Sequence, residues 1–273
     1  MPGARHRGSF ERSRYAYLDH VDVAGLAWEW MRRDDAYRRL APSFSRRGPS
    51  GCTIFVPAPP HVQSRWGCLN VAAPALGADA TQHLWTRDVD RSVLTVAAIS
   101  APTAPDVAFD LSQWRDRATI VRGADCEHVL VHTERGKLRF DVCDGTVMKG
   151  PVRIFLDVLN NDAGCQAADN LRRLRDTLVN RDAGHPARVP DQAHLRQIAA
   201  LRTFDALADG ASIRDVGIML FGDARVRDEW LAPGDALKST SRRLIAFARY
   251  MGSGGYRSLL DSDRPVAGSV RAC

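Results

Sequence analysis

Residues 210–260 constrain this chain more than any other stretch. They read GASIRDVGIMLFGDARVRDEWLAPGDALKSTSRRLIAFARYMGSGGYRSLL. Ser212 stands three residues before Asp215, a relative of the Ser-x-x-Glu capping box. The Ser hydroxyl can accept from the Asp215 backbone N–H, and an acid in the first turn suits the helix dipole. Ile213, Val216, Gly217 and Leu220 give one apolar face, Gly217 permits close helix approach, and Phe221-Gly222 ends the helix. A short helical turn follows over 224–231, anchored by Val226 and Trp230. Pro233-Gly234-Asp235 then opens a long helix over 235–251.

With Leu237 at zero and about 100° per residue, Leu237, Ser241, Leu244, Ala248 and Met251 gather on one side of that last helix. Lys238, Arg249 and Arg242 fall at roughly 100°, 120° and 140°, and Ser239 and Arg243 lie further round. A capped helix, a tight Gly turn and a second, cationic helix form the outline of a helix-turn-helix, whose second helix is shaped to enter the DNA major groove. Arg and Lys supply phosphate clamps and donors to guanine, and small hydroxyl residues let a helix approach base edges. The candidate DNA contacts are therefore Arg214, Lys238, Ser239, Ser241, Arg242, Arg243 and Arg249. A solvated surface helix of an Arg-rich protein carries the same pattern. The short helix inserted between the two main ones also departs from an ordinary helix-turn-helix.

Composition agrees without deciding. Lys plus Arg number 38 against 32 Asp plus Glu, a net charge of +6, with a pI near 9.2. This balance favours a polyanionic partner weakly. The bases are nearly all Arg, with Lys only at Lys137, Lys149 and Lys238. An Arg bias also follows from a GC-rich coding genome. The chain has 273 residues, 45% of them hydrophobic, enough for one large or two ordinary domains with a folded core. No apolar run approaches the roughly 18 residues that cross a bilayer. The opening MPGARHRGSFERSR is basic, lacks an apolar segment and reads as a mobile arm. The cysteines, Cys52, Cys68, Cys126, Cys143, Cys165 and Cys273, form no C-x-x-C pair and no zinc spacing with His. They read as incidental thiols of a reducing cytoplasm.

Asp22 can cap a helix over 23–40, ended by Pro42. A Ser/Arg/Gly/Pro loop follows to about Pro60, and 66–90 is irregular. Ala101-Pro-Thr-Ala-Pro105 reads as a linker closing an N-terminal module, 1–104. The middle alternates in strands over 107–111, 118–122, 128–132, 138–142 and 152–156, separated by turns, a small antiparallel sheet within 105–160. Helices are expected over 165–178 and 192–208 ahead of the helix-turn-helix, making 161–261 helical, with a tail over 262–273. The fold class is α+β. On this division a fragment starting near Pro105 folds by itself.

Catalytic readings are thin. The chain has no phosphate-binding loop of the Walker type, no dinucleotide fingerprint and no nucleophile elbow. Arg153, His185-x-x-Arg188 and Tyr250 or Tyr256 echo the order of a tyrosine recombinase, which needs two guanidiniums on a phosphate and a Tyr nucleophile. His128 and His132 share a strand face but lack a third ligand. Asp141 and Asp144 read as strand-end and turn acids. No enzyme activity, cofactor or metal is assigned.

Several ordered blocks resemble a family of proteobacterial regulators encoded on integrative and conjugative elements, the FseA-type excision activators. The blocks are Ala200-Leu-Arg-Thr-Phe-Asp-Ala-Leu207, 210–216, Leu220-Phe-Gly222, Asp228-Glu-Trp230, Arg242-Arg-Leu-Ile245, Ala248-Arg249 and Gly254-Gly-Tyr-Arg-Ser-Leu-Leu260. Ala27-Trp-Glu-Trp30, Asp35-Ala-Tyr-Arg38, Trp66-Gly67 and Trp85 are similar to the small transcriptional-regulator-like module at the N-terminus of such proteins. The resemblance implies a helix-turn-helix variant in 105–261, a double-stranded promoter or operator as partner, and a cytoplasmic, nucleoid-associated protein. It also implies RNA polymerase and a small anti-activator as further partners. Some family members are themselves anti-activators that bind a related regulator and not DNA. Such a module would present acidic or apolar groups on the 235–251 helix, where this chain has Lys and Arg.

Overall fold

In the computed structural model, residues 11–48, 50–101, 108–134, 136–157, 165–179, 189–231 and 235–261 are described. The described helices are α1 (Val23–Met31), α2 (Asp35–Arg38), α3 (Pro60–Trp66), α4 (Cys165–Leu178), α5 (Gln192–Ala208), α6 (Ile213–Phe221), α7 (Asp223–Glu229) and α8 (Ala236–Gly252). The described strands are β1 (Ser45–Arg47), β2 (Thr53–Phe55), β3 (Leu94–Ser100), β4 (Ala118–Arg122), β5 (Glu127–Thr133), β6 (Gly136–Gly145) and β7 (Val152–Leu156). The α+β class stands. Among the described residues no helix is long and apolar enough to cross a membrane.

The sheet differs from the short antiparallel one expected. It has seven strands in the order β1-β2-β4-β5-β6-β3-β7. β2 pairs with β4 and β3 with β6 in parallel, so the sheet is mixed. The antiparallel meander β4-β5-β6 follows the turns read from sequence. The parallel neighbours come from far upstream, and no local turn announces a crossover. The expected strand over 107–111 is not formed. Phe109 makes a single bridge to Val152, and a 3-10 helix runs from Leu111 to Arg117; Val107 lies outside the described residues.

The expected long helix over 23–40 divides in two. Asp22 caps α1 by accepting from Gly25 N, as anticipated. Asp34 is extended, and its side chain accepts from Ala36 N at 2.7 Å. A second Asx cap competes with helix continuation, and here it wins. The stretch read as an arm is ordered where it is described: Arg12–His20 form a 3-10 helix that buries Tyr15 and Leu18, and residues 1–10 lie outside the described residues. The cysteine reading needs correction too, because Cys126 and Cys143 form a disulfide across the β5–β6 pair. Its two positions face each other one step beyond the Glu127–Val142 pair. No C-x-x-C spacing marks it, since the sheet register alone brings the two together. Cys52 and Cys68 are buried free thiols.

Two cores result. One face of the sheet packs Val96, Phe109, Ile120, Val131, Phe140 and Val152 with Leu174 of α4. The other core is helical and draws on both ends of the chain: Trp28, Trp30 and Tyr37 lie with Leu201, Val216, Ala248 and Tyr256. Phe204 of α5 shows why these ends cannot be parted. Its ring meets Trp30 of α1 edge-on at 5.6 Å and occupies the space a Cβ on Gly252 of α8 would need.

Polar contacts seal the same junction. Arg33 donates to both Asp205 oxygens, at 2.7 and 2.8 Å, and to Glu29 at 2.7 Å. Tyr15 Oη donates to Asp205 at 2.6 Å, and Trp30 Nε1 to Gln197. The Glu29 carboxylate is fully buried and also accepts from Arg32 and from Ala78 N. Burial pushes the Glu29 and Asp205 carboxyls up, but the guanidiniums outweigh it and hold both below their ordinary pKa.

The boundary placed at residue 104 therefore separates neither core. β1–β3 lie before it and β4–β7 after it in one sheet, and α1 packs on α5. The linker residues 102–107 lie outside the described residues. A fragment starting at Pro105 lacks β1–β3 and uncovers the Asp205, Gln197 and Phe204 face of α5. It is expected to be unfolded or aggregated, read by circular dichroism and size exclusion; a monomeric fragment with a cooperative melt would overturn this.

Arg33→Met removes one partner of a buried, doubly bonded ion pair, a change that leaves uncompensated charge. We expect it to lower unfolding free energy by about 3–5 kcal/mol in urea titrations, toward the lower end because Asp205 is partly exposed. Depressed carboxylate pKa values contribute stability at neutral pH that is lost as pH falls through them. The acid limb of stability against pH should therefore be shallower in Arg33→Met than in the wild type.

Candidate nucleic-acid interface

The helix-turn-helix unit forms as the residues dictate. Ser212 and Asp215 make a reciprocal capping box: Ser212 Oγ accepts from Asp215 N, and Asp215 accepts from Ser212 N at 2.8 Å. Gly222, at φ 86°, ends α6 and starts α7, a conformation that suits glycine. Val226 of α7 is fully buried. A Cβ on Gly217 would sit 2.5 Å from the Trp230 ring and 3.4 Å from Ser241 Oγ. Gly217 is thus the point where α6, α7 and α8 meet.

α8 buries Leu237, Ser241, Leu244, Ala248 and Met251, the side assigned to the core. Its exposed arc holds Ser239, Arg242, Arg243, Ala246, Arg249 and Tyr250. Ser239 and Ala246 lie near the middle of the arc, with Arg242 and Arg249 on one flank and Arg243 and Tyr250 on the other. Of the seven residues selected from sequence, Ser239, Arg242, Arg243 and Arg249 are brought together here. Lys238 is half-buried at the edge, and its Nζ donates to Asp235 at 2.8 Å. That hydrogen bond holds the Asp235 carboxyl below its ordinary pKa. Arg214 is exposed on the first turn of α6, a separate helix.

Ser241 is a correction. It is fully buried, and its Oγ donates to the Leu237 carbonyl at 2.9 Å. The wheel already placed it among the apolar positions. A small hydroxyl satisfied by its own helix packs there like alanine, so its polarity says nothing about DNA.

The charge balance of neighbouring helices differs. On α7, Arg225 pairs with Glu229 at 3.1 Å and Arg227 with Asp223, both at i,i+4. From Ala236 to Leu260 the sequence has no acid. Among the described residues no carboxylate forms an ion pair with Arg242, Arg243 or Arg249. Apart from the Asp235 carboxylate, which feels Arg242 at a distance, their charge faces solvent among the described residues, and exposed positive charge is what a polyanion meets.

Two groups escaped sequence reasoning. Tyr250 is 53% exposed beside the Arg243 flank. Arg196 of α5 lies over Phe247 of α8, 4.4 Å from the ring centroid. Tyr250 shares the exposed arc by period alone. Arg196 stands some fifty residues away in the chain, and only helix packing places it there.

Of the two tyrosines offered for a recombinase, Tyr256 is ruled out as a nucleophile by burial, while Tyr250 is exposed on α8. Tyr256 is 4% exposed, its ring lies 6.2 Å from Trp85, and burial raises its hydroxyl pKa. A buried phenol cannot reach a phosphate. His185 and Arg188 lie outside the described residues. His128 Nδ1 lies 2.8 Å from Asp141 Oδ1, and His132 is opposite Lys137 across the strand pair. Asp141 is not a strand-end acid but is buried within β6.

Gly217→Ala gives α6 a better helix former, worth about 1 kcal/mol, but forces Cβ into the Trp230 ring. Overpacking of this kind costs about 1–3 kcal/mol. The variant should melt below the wild type in calorimetry. An unchanged or raised midpoint would show that the Trp230 ring swings aside freely.

Comparison with known families agrees with this geometry. Residues 158–261 match the family described as "T6SS, Transcription factor, DNA binding domain", of RovC type. Residues 11–68 match the family described as "Proteobacterial transcriptional regulator-like domain". No curated protein matches the chain. The chain thus carries one stretch similar to a proteobacterial transcriptional regulator-like domain and another similar to a RovC-type DNA-binding domain, which supports a DNA-binding transcription regulator.

Proposed function

We propose that this chain is a transcription activator that lays α8 in the major groove of promoter DNA, controlling genes of an integrative and conjugative element. The observation that carries the groove assignment is the exposed arc of α8. Small residues, Ser239 and Ala246, lie along its middle, and Arg242, Arg249 and Arg243 flank them. A helix so built can approach base edges closely while guanidiniums reach guanine or the backbone. Lys238 at the edge and Arg214 on α6 serve as further backbone contacts. The activator role and the conjugative-element context are supported by the ordered sequence blocks and by the fused regulator-like domain. RNA polymerase and a small anti-activator are the protein partners of that reading, and the nucleoid is its place in the cell. An anti-activator that binds a related regulator without DNA is the second reading. It would want an acidic or apolar α8, and the observed face is cationic.

The test begins with a duplex recovered by the full-length protein from a random pool. Arg242→Ala and Arg249→Ala are expected to weaken binding to it while leaving the melting midpoint near that of the wild type. A lost base contact costs about 1–3 kcal/mol and relaxes preference at one position, whereas a lost phosphate contact weakens all sequences and lowers the salt slope by about one. The same variants should lose reporter output in cells. If both bind the recovered duplex like wild type, the groove assignment is wrong.

A further inference from the structure

We infer that the cleft between α5 and α8 is a backbone-phosphate seat, with Arg196 and Arg243 as its two guanidinium arms. The inference rests on the DNA reading above and assigns it a second contact element, on a different helix. The cleft has an apolar floor of Leu195 and Ala199 of α5, Leu220 of α6 and Leu244 of α8, with Gln192 and Arg196 of α5 and Thr240 and Arg243 of α8 as its polar lining. Gln192, Arg196 and Arg243 are exposed, and Leu244 is buried. No acid lines it.

Both guanidiniums are held in place and keep donors to spare. Arg196 stacks on Phe247, 4.4 Å from its centroid. Arg243 donates one bond to Thr240 Oγ1 at 3.1 Å. A guanidinium has five N–H donors, so each arm can still grip an oxyanion. Prior fixation lowers the ordering cost of binding. α5 is rigidly seated, because its inner face carries Ile198, Leu201 and the Asp205 network.

Position selects phosphate as the occupant. Arg243 also belongs to the exposed arc of α8, so the cleft opens onto the face proposed to meet DNA. The major groove is about 12 Å wide and a helix with side chains about 10–12 Å across, so α8 fills the groove. A helix packed beside it, about 8–10 Å away axis to axis, stands against the groove wall, where the phosphates run. Arg196 is on that helix. A free small anion would not need Arg243 to face the duplex as well.

The experiment uses the full chain with Arg196→Gln and Arg196→Lys. Affinity is measured against salt on the recovered duplex and on a scrambled duplex of the same length. Arg196→Gln should lower the slope of log K against log salt by about 0.9 on both, as loss of one phosphate contact does. Arg196→Lys should restore most of the slope, since a point charge still neutralises phosphate. A merely structural role for Arg196 would shift affinity or melting without moving the slope. A wild-type slope in Arg196→Gln, alongside weakened Arg242→Ala and Arg249→Ala, overturns the seat and leaves the DNA reading standing. A slope change confined to the recovered duplex overturns it as well, pointing to base contact. If the α8 variants also bind as wild type, both ideas fall together.

Discussion

The Arg33 guanidinium is the contact on which the arrangement depends. From the turn just after α1 it lies between Glu29 of that helix and Asp205 of α5, and Tyr15 completes the Asp205 carboxylate. These groups come from residues 11–68, which match the regulator-like family model, and residues 158–261, which match the DNA-binding-domain model. Each buried charge is stable only while its partner is present, since a lone one would carry the full desolvation penalty. The first helices of the one stretch and α5, α6 and α8 of the other therefore share the core of one helical lobe, while β1 and β2 belong to the sheet and α4 packs on it. The end of α1 is thus bonded to α5, and α5 packs directly on α8.

A second polar seam joins that lobe to the sheet. His132 faces Lys137, Leu130 faces Arg139, and His128 faces Asp141 across the β5–β6 pair. Alternation marks this as the polar face, and in an isolated meander it would meet water. Here it lies partly under the N-terminal segments. Arg139 reaches Asp22, the cap of α1, at 3.2 Å and Asp90 at 3.7 Å. Lys137 donates to the Ala78 and Thr81 carbonyls. Burial pulls Lys137 down to about 8 and His132 to about 4. The cap of one helix is thus also the counter-ion of a strand, which ties helix entry to sheet position.

The cationic face emerges from what does not pair. α7 neutralises its own arginines at i,i+4, while α8 has no acid with which to do so. Tertiary packing then hides the apolar side of α8 and presents the arginines. Sequence-wide charge, at +6 in 273 residues, would not have localised this surface. Local acid content does.

The sequence by itself determined the elements whose cause is local. Capping by Asp22 and by Ser212 with Asp215, the turn at Gly222, the β4-β5-β6 meander and the two sides of α8 all follow from neighbours within a few residues. Hydrogen-bond geometry and side-chain period decide these before the chain collapses. Only the tertiary structure decided the rest. Parallel partners β2 and β3, the disulfide between Cys126 and Cys143, the buried polar face of the sheet and the Arg196 flank of the candidate interface each join residues distant in the chain. Loop closure leaves no periodic trace, so such pairings are written in complementarity of shape and charge. Ser241 shows the same division at one position. Its place on the wheel was legible, but whether its hydroxyl met water or the Leu237 carbonyl depended on where α6 came to rest.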